Sequence, residues 1–163
     1  MGLLRVFSKD EVKYVRYEPP PDVRIDLSAL LKFDFSKTLL VYQGIPFIVR
    51  ASIVGEIFKK DGDFYSQRVV AGFKDVQWHF IDKNSGEMDQ IDYILIELVE
   101  LDPGIIFQFI IDAIFFHELR EMYYQRVLNN PREIAHQKAR KDERAYAAKF
   151  LSSTEKQIYK KIQ

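Results

Sequence analysis

Across the first hundred residues the apolar positions fall in short runs bounded by turn residues, a pattern that predicts strands. Leu3 to Phe7 and Val12 to Tyr17 read as two short strands, and Pro19-Pro20-Pro21 stops whatever precedes it. Asp26 to Phe35 predicts either a short helix or an extended cover over the core. Leu39 to Tyr42 and Phe47 to Val54 read as strands joined by the tight turn Gln43-Gly44-Ile45-Pro46, and Phe64 to Val70 as a third after the polar turn Lys60-Asp61-Gly62-Asp63. Asp75 to Ile81 places Val76, Trp78 and Phe80 on one side and Gln77 and His79 on the other. Residues 91 to 100 fit strand or helix, and Leu101-Asp102-Pro103-Gly104 ends them in either case.

Beyond residue 104 the pattern changes period. From Gly104 to Phe116 only Gln108 and Asp112 interrupt apolar residues, as expected of a helix enclosed by protein on most sides. That helix should run to Leu128. Asn130 then suits a helix cap, Pro131 a first position and Glu133 a capping box, so a second helix is expected through Phe150, with Ser152-Ser153-Thr154 breaking it before a short last one. Strands followed by helices make an α+β domain, here one domain over 1–163 with residues 1–37 as an N-terminal wrap.

Composition limits the chemistry. The chain has 13 Phe, 9 Tyr and no Cys, so a thiol nucleophile, a disulfide framework and a cysteine zinc knot are all excluded, and any metal must be held by His, Asp and Glu. Net charge is zero, yet residues 81 to 121 carry ten acids against Lys83 and Arg120, whereas residues 132 to 163 carry nine bases against four acids. If these regions pack together, much of that asymmetry is internal pairing. The clean apolar run of about 13 residues falls short of a membrane crossing of roughly 20, and the N-terminus lacks a signal-peptide pattern. The expectation is a cytoplasmic protein with no membrane partner.

The polar residues that follow the apolar run carry the chemistry. On a helix His117 and Glu121 share a face, and Glu118 lies about 100° around from His117. If the two long helices form a hairpin folded at Asn129-Asn130, His117 and Glu143 come to one height, while Glu121 and His136 come within about 4 to 5 Å of another. Ala135 and Ala139 keep the second helix slim for close approach. His117, Glu121 and His136 are thus candidate ligands, with Glu143 either a fourth ligand or an acceptor that orients a histidine. Zinc so held would activate water, with Glu118 taking its proton and passing it to the leaving amine, and with Tyr124 or Tyr146 steadying the oxyanion.

His117-Glu118-Leu119-Arg120-Glu121 resembles the zincin metallopeptidase motif His-Glu-x-x-His with its second histidine replaced by glutamate. Ala135-His136-x-x-Ala139-x-x-x-Glu143 resembles the second helix of small zincin-like domains, known mostly as uncharacterised microbial and phage proteins. The likeness covers roughly residues 105 to 146, about a quarter of the chain. It implies a small sheet ahead of the active helix and a third ligand downstream, and so a minimal zincin-like fold: a small, mostly antiparallel sheet against a long active-site helix and a C-terminal helical hairpin. It further implies a zinc-dependent peptidase acting on protein or peptide. Glu121 in place of histidine adds negative charge, which weakens the Lewis acid and could favour Mn²⁺ or Fe²⁺.

Other readings compete. The glutamates could pair with Arg120, Arg126 or Arg140 as a polar seam, or the domain could be an inactive zincin-like interaction module. Glu133-Ile134-Ala135-His136 fits the Glu-x-x-His of di-iron bundles, which need a second copy. His79 reads as an exposed strand residue, and Trp78 with Phe73 and Phe80 as core. The basic tail, including Lys138, Arg140, Lys141 and Arg144, reads as a solvated face. A nucleic-acid accessory role through it is a weaker alternative, because acids are interspersed and net charge is zero.

Overall fold

The structure is a computed structural model and describes residues 4–19, 21–33, 37–53, 58–61, 64–67, 71–100 and 108–162. Its centre is β8 (Met88–Glu100), flanked by β7 (Ala71–Ile81) and β4 (Ile45–Ile53). β3 (Thr38–Tyr42) and β2 (Lys13–Arg16) extend the sheet on one side and β1 (Arg5–Val6) closes the other, in the order β1-β7-β8-β4-β3-β2. The expectation of a mostly antiparallel sheet is corrected. β1/β7, β2/β3 and β4/β8 pair in parallel while β3/β4 and β7/β8 are antiparallel, so the sheet is mixed, and it is curled. The antiparallel pairs join strands linked by short turns, whereas the parallel β2/β3 pair, also consecutive, is linked through α1. The parallel partners are brought together by packing across longer connections.

β8 looked ambiguous because it buries both faces. Ile94, Ile96 and Leu98 point into the larger core with Phe47, Val49 and Phe115, while Ile91 and Leu95 point into a smaller one with Phe7, Leu39, Ile48 and Phe80. A strand covered on both sides shows a continuous apolar run rather than alternation. Trp78 stacks on Phe7 at 4.4 Å between centroids, inside that smaller core, and His79 is exposed, both as expected. The β3–β4 hairpin turns at Gln43 and Gly44, with φ of +51° and +82°, the two left-handed positions that a tight hairpin turn requires.

β5 (Phe58–Asp61) and β6 (Phe64–Gln67) form a separate two-stranded ribbon. The expected strand ends at 54 and 68–70, the turn at 62–63 and the break at 101–104 lie outside the described residues. The N-terminal segment does more than cover the core. It adds β1 and β2 as edge strands, and α1 (Leu27–Leu31) sends Leu27 and Leu30 into the larger core.

α2 (Gln108–Arg126) lies over the sheet, and Ile111, Ile114, Phe115, Leu119 and Met122 are all buried in the larger core. α3 (Arg132–Phe150) returns antiparallel against it, with Ala135 and Ala139 fully buried at the contact. Between them Asn129 takes φ +55°, and the Asn130 amide N–H and side chain both donate to the Tyr124 carbonyl, at 2.9 and 3.1 Å. Asn130 therefore closes the end of α2 instead of capping α3. Pro131 occupies the N-cap of α3 without a side-chain bond. α4 (Ser153–Ile162) begins in a capping box, the Ser152 N–H donating to Glu155 and the Glu155 N–H to the Ser152 hydroxyl, at 2.9 and 3.2 Å. No helix among the described residues is long and apolar enough to cross a membrane.

Candidate metal centre

The α2–α3 hairpin brings its polar residues to one place. His117 Nε2 lies 3.3 Å from His136 Nδ1, His136 Nδ1 lies 3.0 Å from Glu121 Oε1, and His117 Nε2 lies 3.9 Å from Glu121 Oε2. His117 and Glu121 are 6% and 9% exposed, whereas His136 opens to solvent, so the group is walled on one side and accessible on the other. One donor atom from each of the three falls within 4.8 Å of the others. Tetrahedral bonds of about 2.1 Å to a single ion would set its donors about 3.4 Å apart; the two histidine nitrogens stand at 3.3 Å, and Glu121 turns one oxygen to each of them, so a small rotation of its carboxyl completes the set. Two imidazole nitrogens and a carboxylate converging in this way need protons or a cation between them. The donor set fits zinc, and equally Mn²⁺ or Fe²⁺.

Glu143 stands on the other side of the His117 ring. Its Oε1 is 2.8 Å from His117 Nδ1, off the line of a directed hydrogen bond, so the contact is electrostatic. Burial works against the His117 imidazolium, but the Glu143 contact, with the charges of Glu118 and Glu121, outweighs it and raises the ring's pKa. Glu143 is not among the three converging donors. Glu118 is 8% exposed, and burial pushes its carboxyl up to about 7; the His117 charge opposes the rise and the charges of Glu121 and Glu143 add to it.

Glu118, Glu121 and His136 line a cleft of about 810 Å³ whose other walls include Ala71, Gly72 and Phe73 of β7 and Arg126 and Arg132 of the helices. Neither tyrosine considered for an oxyanion lines it. The Tyr124 hydroxyl donates to Asp142 Oδ2 at 2.6 Å, and Tyr146 accepts from the Ile25 N–H at 3.0 Å beside a separate cavity of about 350 Å³.

Comparison with protein-family models, curated proteins and solved structures finds no match. The centre is thus read from its geometry: a small α+β domain with a His/His/Glu group able to chelate a metal ion.

Sequence reasoning offered Arg120 to the glutamates of the motif and missed its partners, and it overlooked a second feature of the surroundings. Arg120, inside the motif, braces the hairpin: Nε donates to Asp142 at 2.8 Å, Nη1 to the Tyr42 hydroxyl at 2.6 Å and Nη2 to the Tyr124 hydroxyl at 3.1 Å. The second is Tyr159 on α4, buried, whose hydroxyl donates to Glu143 Oε2. The Ser152-x-x-Glu155 box that starts α4 was the available signal for a well-anchored last helix. Of the basic residues, Lys138 bonds Asn130 at 3.3 Å and Lys149 reaches the Pro21 carbonyl, so part of the C-terminal charge is engaged internally.

Proposed function

We propose that this protein is a metal-dependent hydrolase of peptide bonds, zincin-like in its chemistry, in which His117, Glu121 and His136 hold a divalent cation and Glu118 is the catalytic base. The single observation that carries the reading is the convergence of three donors within 4.8 Å at a cleft that Glu118 also lines. Zinc bound there would lower the pKa of a water molecule and polarise a substrate carbonyl. Glu118 receives a proton and returns it to the leaving amine, a task suited to a carboxyl near 7. A cation held by the neighbouring donors would favour the carboxylate form a base requires.

Glu143 acts from behind His117, aiming Nε2 at the site rather than supplying a fourth ligand. Tyr124 belongs to the Arg120–Asp142 brace, so its part is to hold the helices together and not to meet the oxyanion. The cleft has room for several residues of an extended chain. Zinc, Mn²⁺ and Fe²⁺ are all compatible with these donors, and zinc is the ion the proposal takes.

Elemental analysis of untagged protein tests the reading directly. It should give about one divalent cation per chain, lost in His117→Ala and kept in Glu118→Gln, with peptide cleavage abolished in both. Wild-type protein that takes up no cation from a zinc-containing buffer would overturn it. A retained cation without cleavage of folded or unfolded protein would identify a non-catalytic metal-holding interaction domain instead.

A further inference from the structure

The two oxygens of Glu143 have different partners. Oε1 lies against His117 Nδ1 at 2.8 Å, while Oε2 accepts a hydrogen bond from the Tyr159 hydroxyl. A carboxylate held at both oxygens cannot rotate without giving up one contact, so the hydroxyl on α4 fixes the acceptor that faces the ring on α2. α4 is well placed for this. Its start is set by the Ser152–Glu155 box, Arg24 ties Glu155 and the buried Asp112 of α2 at 3.4 Å each, and Tyr159 is buried in the larger core.

We infer that Tyr159 is a positioning residue of the metal centre, and that through Glu143 the C-terminal helix sets the affinity of the His117, Glu121 and His136 donors for a divalent cation. The inference rests on the metal-binding reading above. The Glu143 charge held beside the far nitrogen of His117 favours the tautomer that leaves Nε2 free to bind a cation, and loss of such outer support typically costs ten- to a hundredfold in metal affinity. Tyr159→Phe removes one oxygen and leaves the buried ring.

The experiment is competition for Zn²⁺ against a chromogenic chelator, using the full-length wild type, Tyr159→Phe, Glu143→Gln and the double variant. Melting temperatures and circular dichroism are recorded alongside. Tyr159→Phe should weaken zinc binding about tenfold, and should add little once Glu143 is already Gln, because both changes act through one carboxylate. Zinc affinity within twofold of wild type in Tyr159→Phe, or full additivity in the double variant, would overturn the inference and leave the metal centre standing.

A wild type that binds no zinc would sink the metal-binding reading, and with it the claim about affinity. The link between helices is read separately from the ring ¹⁵N shifts of His117 in chelator-treated protein, where Tyr159→Phe should change the balance of the two tautomers. Unchanged shifts would show that Tyr159 does not act on the ring. If the Phe variant fails to fold, Tyr159→Met, which puts a smaller and more adaptable apolar chain in place of the ring and has no donor, carries both measurements.

Discussion

Glu118→Gln should stabilise the metal-free protein at neutral pH even as it removes the proposed base. The carboxyl is 8% exposed, and its pKa is pushed from 4.5 to about 7, chiefly by burial. Because the folded-state value is raised, the unfolded chain releases this proton between pH 4.5 and 7 while the folded protein keeps it. Stability from this group is therefore full below pH 4.5 and is lost as pH rises through 7. A rise from 4.5 to about 7 corresponds to about 3 kcal/mol, a tenfold change in proton affinity being worth about 1.4 kcal/mol.

Gln has nearly the same volume and no charge to lose. The variant should therefore gain about 2 to 3 kcal/mol over wild type at pH 8, and differ little at pH 4. The assay is urea unfolding from pH 4 to 8 in the presence of a chelator, with the midpoint and slope compared at each pH. A variant less stable than wild type at pH 8, or a difference that stays constant with pH, would refute the assignment of Glu118 as a buried, strained acid. A gain in stability coupled to lost activity is the trade expected of a catalytic group held in an unfavourable place.

Zinc affinity should fall as pH drops, because the proton that His117 holds with its raised pKa competes with the cation for a ligand nitrogen; chelator competition at pH 6 and 8 measures it, and an unchanged affinity would count against the site. Arg120→Met should cost about 2 to 4 kcal/mol in urea unfolding, since Asp142 and the hydroxyls of Tyr42 and Tyr124 all lose their shared partner, whereas a loss under 0.5 kcal/mol would show that the brace contributes little.

The hairpin was legible because a helix has a fixed rise. Counting outward from Asn129-Asn130 pairs His117 with Glu143 and Glu121 with His136, and these contacts close at 2.8 and 3.0 Å. Ala135 and Ala139 showed which face of α3 would meet α2. Strand direction was not legible, because the parallel pairing of β4 with β8 depends on segments more than forty residues apart, and no local pattern encodes it. The strand or helix ambiguity of residues 91 to 100 has the same root: the unbroken apolar stretch Tyr93-Ile94-Leu95-Ile96 within them reflects two covering layers, which exist only in the folded chain.

The amino-acid order alone determined the class of fold, the absence of thiol chemistry, and the helical spacing that lets two histidines and a glutamate meet. Those are properties of residue type and of a regular repeat, both local. Tertiary structure decided that Glu118 is a buried acid near 7, that Tyr124 is committed to Asp142, and that Tyr159 grips Glu143 from sixteen residues further on. Each of these depends on which surfaces lose water and which side chains meet across separate elements, and that is fixed only once the helices have closed against the sheet.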